Sequence, residues 1–150
     1  MADELEIYPR LIFGKTALAE QKVLLVDANG RLIGVSAVQQ TTLHPSGAEI
    51  ASVTGSDVDT EPIKAANFYL DVTAVSGTTP TLDVKIQEKD PVSGKYFDLV
   101  SFTQVTAVIS ERKNYGSGVG ELLGKIIRFV ATISGTSPSF TFSLSMVGKA

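Results

Sequence analysis

Val72-Thr-Ala-Val-Ser-Gly-Thr-Thr-Pro-Thr-Leu-Asp-Val-Lys-Ile86 returns later in the same chain as Val130-Ala-Thr-Ile-Ser-Gly-Thr-Ser-Pro-Ser-Phe-Thr-Phe-Ser-Leu144, an offset of 58 residues (130 − 72). Each copy reads as a strand, a Ser-Gly-Thr-Thr/Ser-Pro turn, and a second strand whose apolar residues fall at every other position. Gly77 and Gly135 can take positive φ without a Cβ clash, and Pro80 and Pro138 fix φ where the chain leaves the turn. Alternation with period 2 buries one face of a strand and wets the other. The expected fold is all-β, an antiparallel β-sandwich or jelly-roll-like barrel. In it the two copies form hairpins of similar construction.

Working outward, residues 1–15 read as an extended N-terminal arm and residues 16–150 as a single β-sandwich domain. Asp3, Glu4 and Glu6 precede Ile7-Tyr8-Pro9, and Pro9 interrupts any ladder it joins except at an edge. Leu11, Ile12 and Phe13 form an apolar knot before Gly14. Two readings stand side by side: a terminal strand covering the domain's own core, or an arm lying on a neighbouring subunit. On the second, Ile7, Tyr8, Leu11, Ile12 and Phe13 are the partner-binding residues.

Val23–Val26 and Arg31–Val35 flank Asp27-Ala-Asn-Gly30, and Asn-Gly between apolar runs is a strong hairpin signal. The strand beyond Val35 runs toward Leu43, where His44-Pro45-Ser46-Gly47 predicts a turn. Ala48–Val53 reads as a short strand and Gly55–Pro62 as a loop. Phe68, Leu70, Val72 and Ala74 share one face, continued by Leu82, Val84 and Ile86. Asp90-Pro-Val-Ser-Gly-Lys95 predicts a second hairpin loop. Asn114–Gly120, with glycines at 116, 118 and 120, reads as a mobile loop, and Glu121–Lys125 as one helical turn at most. About eight or nine strands at this spacing favour a sandwich.

Composition then removes whole classes of chemistry. The chain is 150 residues long, enough for one domain that buries roughly 68–70% of its unfolded surface. It has no cysteine, so disulfides, thiolate nucleophiles and Cys-ligated zinc are excluded together. A single histidine, His44, limits imidazole chemistry, and the absence of tryptophan removes the usual flat platform for sugars. The net charge of −3 with scattered Lys and Arg forms no basic stripe, so no nucleic acid partner is expected. No apolar run approaches 18 residues, so no membrane partner is expected, and the acidic N-terminus is unlike a signal peptide.

Four local features carry residue types that sites use. Asp57, Asp59 and Glu61 alternate as oxygen ligands do around calcium, but lack the glycine and bidentate glutamate of an EF-hand loop, and a solvated acidic loop is the simpler reading. Gly116-x-Gly118-x-Gly120 superficially suggests a phosphate cradle, without the strand, helix or Walker lysine that such a cradle needs. His44, before Pro45 and with no evident nucleophile beside it, reads as an exposed turn residue rather than a general base. Tyr69 faces away from Phe68, Leu70 and Val72 and reads equally as an outward contact residue or as one covered by the second sheet or a loop, and Tyr115 is taken as a further partner-binding residue. No catalytic residue, cofactor or metal is assigned, and the chain is expected not to be an enzyme.

Asp71–Glu88 and Ile133–Leu144, as phrased above, resemble stretches of the small virion accessory proteins of tailed bacteriophages, the likeness covering residues 63–147. Capsid decoration (cement) proteins are the closest functional type. The resemblance implies an all-β, non-enzymatic structural protein that binds and stabilises the outer surface of a phage capsid. It also implies a homotrimer whose partner is the major capsid protein, located in the virion after assembly in the host bacterial cytoplasm. A carbohydrate-binding or adhesive module, or a tail or neck component of the virion, are the alternatives.

Overall fold

The computed structural model describes residues 12–14, 22–24, 38–61, 63–116, 118 and 121–150. The chain divides into two compact units, Met1–Ser36 and Ala37–Ala150. In the first, β1 (Ile12–Gly14) pairs antiparallel with β2 (Lys22–Leu24), Ile12 opposite Leu24 and Phe13 opposite Val23. The rest of the expected arm, Ile7, Tyr8 and Leu11 included, lies outside the described residues, as does the Asn29-Gly30 hairpin.

The second unit is built from β3 (Val38–Glu49), β4 (Val53–Thr54), β5 (Val58–Asp59), β6 (Ala65–Lys89), β7 (Tyr96–Ser101), β8 (Ile109–Tyr115) and β9 (Ile126–Lys149). All seven belong to one antiparallel sheet, ordered β3-β9-β6-β7, with β4 and β5 on β9 and β8 on β6. The all-β expectation holds. Glu121–Lys125, read as one helical turn at most, is irregular.

The repeated phrases behave differently from the hairpins expected of them. Neither reverses the chain. β6 and β9 pair along their whole lengths, from Ala65 opposite Lys149 to Glu88 opposite Ile127. The two Ser-Gly-Thr-Thr/Ser-Pro phrases therefore lie against each other, with Thr78 facing Thr136. Gly77 (φ +113°), Thr79 (+47°), Gly135 (+123°) and Ser137 (+48°) take left-handed conformations, and the register slips between Ser76 and Thr81. Slips of this kind bend and twist a strand without ending it. Pairing also relates the copies by an internal two-fold axis. Val75 faces Phe140 and Leu82 faces Ile133, and these partners are each other's counterparts at the 58-residue offset (82 + 58 = 140; 75 + 58 = 133).

The bend divides the sheet into two layers. Residues 65–75 of β6 and 140–149 of β9 carry β8 and β3 at their flanks, whereas residues 82–89 and 126–133 carry β7 and the short β4 and β5. Phe68, Leu70, Val72, Phe140, Phe142, Leu144 and Met146 of the first layer share one core with Leu82, Val84, Ile86, Ile127, Phe129 and Ala131 of the second. Each fully buried side chain of this size contributes roughly 1.5–3 kcal/mol. The sandwich is thus one sheet folded over its own apolar face. Ala74 departs from the expected pattern: the register slips between Val72 and Ala74, leaving Ala74 exposed while Val75 packs against the core. The loop Asp90–Lys95 is the hairpin expected, closed by Asp90 N–H to Lys95 O at 2.8 Å, with Gly94 at φ +69°.

Candidate functional site

His44 lies inside β3 rather than in a turn. Pro45 cannot donate to the ladder, and the strand absorbs it through register slips between Thr42 and His44 and between His44 and Gly47. The slips aim His44 inward, opposite Leu144, and leave it 8% exposed, a correction to the solvent-facing residue expected. Its ring stacks on Phe142 (centroids 4.5 Å apart) and meets Phe129 edge-on at 5.5 Å, joining the two layers. Nε2 lies 3.1 Å from Glu49 Oε1, while the buried Nδ1 has no hydrogen-bond partner among the described residues. An imidazole held this way is a core residue.

The acidic trio diverges. Asp57 accepts hydrogen bonds from Lys89 Nζ at 2.8 Å and Tyr96 Oη at 2.6 Å, which hold its carboxyl below the ordinary aspartate range. Asp59 caps the backbone N–H of Glu61, and Glu61 pairs with Lys125 at 2.7 Å. Among the described residues no group of three or more His, Asp or Glu is placed to hold a metal ion. In the glycine-rich stretch, Gly116 takes φ +85°, and its N–H and that of Gly118 both donate to Glu121 Oε2. That carboxylate occupies the position a phosphate cradle would need.

The expected partner-binding residues are dispersed. Ile12 and Phe13 form β1, and Tyr115 closes β8, half-buried against the sandwich core, with desolvation raising its phenol pKa. Of the two readings of Tyr69 the outward one is found: it is 37% exposed and opposite Arg112 on β8.

Sequence reasoning passed over a network on the outer face of the second layer. The Arg128 guanidinium lies 3.3 Å from the centroid of the Tyr96 ring, and its Nε donates to Gln87 Oε1 at 3.0 Å. Gln87 donates in turn to Asp98 at 2.6 Å, and Lys85 pairs with the same carboxylate at 3.0 Å. Lys89 and Asp57 close the network on the Tyr96 side. The signal was the alternation itself. Lys85, Gln87 and Lys89 occupy every second position of one strand, and such a row on one face is where cross-strand partners gather.

The bend is the second feature. Ser76, Thr78, Thr79, Ser134, Thr136 and Ser137 are all exposed there. The crossing itself is tight: a Cβ on Gly77 would stand 2.7 Å from Ser137 O, and one on Gly135 2.9 Å from Thr79 O.

No family model matches this chain, and no curated protein matches it. Solved structures match in fold. The VP2 subviral particle of infectious bursal disease virus aligns at 13% identity and TM-score 0.54, over 94% of this chain and 37% of that one. A chain of the same virus, Gx strain, aligns at 12% and 0.54, over 94% and 36%. The SPBc2 prophage-derived protein YomS aligns at 12% and 0.47, over 79% and 97%. For the two viral chains, at TM-score 0.54, the likeness is one of fold. This chain spans little more than a third of the viral chains it matches.

Proposed function

We propose that this chain is a non-enzymatic structural protein of a tailed-phage virion, which docks on the outer surface of the head and braces it. The observation that carries this reading is the fold match to virus-particle chains at TM-score 0.54, extending over 94% of the chain. The internal chemistry supports it. His44 is committed to the core, the acidic trio to lysines and a backbone amide, and the network around Tyr96 and Arg128 to stiffening one sheet face. A sheet whose two central strands run unbroken through both layers suits a brace, because load on one layer passes to the other through covalent backbone. Its partner on this reading is the major capsid protein, and the assembled form is a homotrimer, since closed cyclic symmetry covers edge strands.

The test is to purify particles of the encoding phage and weigh this chain against the major capsid protein by quantitative mass spectrometry. Cryo-electron microscopy of the same particles would locate it. A copy number comparable with the number of capsomers, and density on the head, are the expected results. A handful of copies on the tail or neck would replace the decoration role with another virion role. Absence from the particle would overturn the reading.

A further inference from the structure

We infer that the bend of the sheet is a contact point with two-fold character, whose partner is a pair of shell subunits related by a local two-fold axis. This rests on the virion reading above. Its basis is the internal axis through Thr78 and Thr136, which face each other; the axis relates Ser76 to Ser134 and Thr79 to Ser137, and all six residues are exposed at one apex. A surface built twice about an axis offers the same groups to two identical neighbours. Shells assembled from cyclic capsomers have such axes wherever two capsomers meet.

Two observations make the apex more than a corner. Thr79 and Ser137 sit at φ +47° and +48°, where a β-branched threonine is an outlier and glycine would carry no penalty. A strained residue points to a function for its side chain when the surrounding structure holds it there, and here the same choice of a hydroxyl residue occurs at both related positions. The second observation is where the hydroxyls go. Ser52, Thr60, Thr73, Ser93, Thr103 and Ser110 each hold a neighbouring group. Among the described residues, the six apex hydroxyls make no such side-chain bond and face solvent.

The chemistry at the apex is neutral and hydrogen-bonding, suited to backbone carbonyls and amides of a partner. The patch is also small. Six Ser and Thr side chains fall well short of the roughly 1,000 Å² that a lasting pairwise contact requires, which argues against a second copy docking apex to apex. Repeated over a shell, beside other contacts of the same molecule, a weak contact suffices.

The experiment measures binding of the full-length chain to heads lacking it, by co-sedimentation, for Thr79→Gly, Ser137→Gly and the double variant. Val92→Ser, in the exposed Asp90–Lys95 loop, is the control. Both glycine variants relieve backbone strain, so their unfolding midpoints should match or exceed that of the unaltered chain. Losing one hydrogen bond weakens binding about fivefold. Per protomer contact, each single variant should therefore lose about fivefold, to the same extent, and the double variant about 25-fold, with larger losses where several protomers of one oligomer bind together. Unchanged binding by both, or loss by only one, overturns the two-fold contact while leaving the virion reading intact. An unaltered chain that fails to bind heads overturns the virion reading itself.

Discussion

Replacing Gly77 by alanine tests the central claim about the fold, that the repeated phrases form one crossing rather than two turns. At an ordinary site Gly→Ala stabilises a protein by about 0.4–1 kcal/mol, because the unfolded chain loses freedom. Gly77 is not ordinary. At φ +113° a side chain costs about 1–3 kcal/mol in backbone strain. The new Cβ would also meet Ser137 O at 2.7 Å and Pro138 Cα at 2.8 Å, both backbone atoms that cannot swing aside. Moving the opposing strand adds about 1–3 kcal/mol, as overpacking does. The net loss is about 1–5.5 kcal/mol out of a total of about 5–15. Gly135→Ala, at φ +123° with Pro80 Cα and Thr79 O at 2.9 Å, should lose the same within about 1 kcal/mol. The double variant should lose less than the sum, because one displaced strand makes room for both methyls. Gly94→Ala is the control: φ is +69°, but none of the described residues lies within 4 Å of the added carbon. It should cost about 1 kcal/mol or less. Denaturant unfolding measures all four. A Gly77 variant no less stable than the Gly94 variant would refute the crossing.

Thr60→Val removes a fully buried hydroxyl that reaches Gly124 O at 2.6 Å and Lys125 O at 2.9 Å, and should cost about 1–3 kcal/mol by urea unfolding; a change under 0.5 kcal/mol would mean that water replaces it at once. His44→Phe keeps the stack on Phe142 and removes the unpartnered Nδ1, so stability should stay within about 1.5 kcal/mol. A larger loss would show that the His44–Glu49 contact matters more than the stack. Stability should be flat between pH 5 and 7 and fall below about pH 4. Ser93 holds Asp90, and Gln87 and Lys85 hold Asp98, below the ordinary aspartate value of 3.8, as Lys89 and Tyr96 hold Asp57. A lowered carboxylate pKa contributes stability that is present above its unfolded value and lost as pH falls through its folded one. Thermal midpoints measured from pH 2 to 7 check this, and Asp98→Asn should shrink the acid slope.

What the sequence disclosed depended on how local the determining physics is. The inward faces Phe68-Leu70-Val72 and Leu82-Val84-Ile86 were legible because period 2 is a property of each strand alone. The loop Asp90–Lys95 was legible because its turn residues act on their own backbone. Ala74 and His44 were misjudged for a shared reason: both follow a register slip that belongs to a pair of strands, and one slipped residue exchanges inside for outside. The network around Arg128 and Tyr96 needed cross-strand neighbours that no spacing along the chain supplies. An exposed docking surface is harder still, since exposed Ser and Thr at a bend look the same whether or not a partner reads them.

The repeated phrase marks the boundary between these cases. A single Ser-Gly-Thr-Thr-Pro is properly read as a turn, because glycine at positive φ followed by proline is what a reversal needs. Its meaning changes only when the second copy lies across from it. Gly77 leaves room for the backbone at Ser137 and Pro138, and Gly135 for that at Thr79 and Pro80, so each copy supplies the clearance that the other occupies. One phrase written twice, at an offset that brings residue i opposite the copy of its mirror position, can close on itself as a bend with two-fold symmetry. It follows that the two copies are not independently replaceable. A change that enlarges one is felt by the other strand's backbone, and Thr78 and Thr136, which face each other on the axis, respond as a pair.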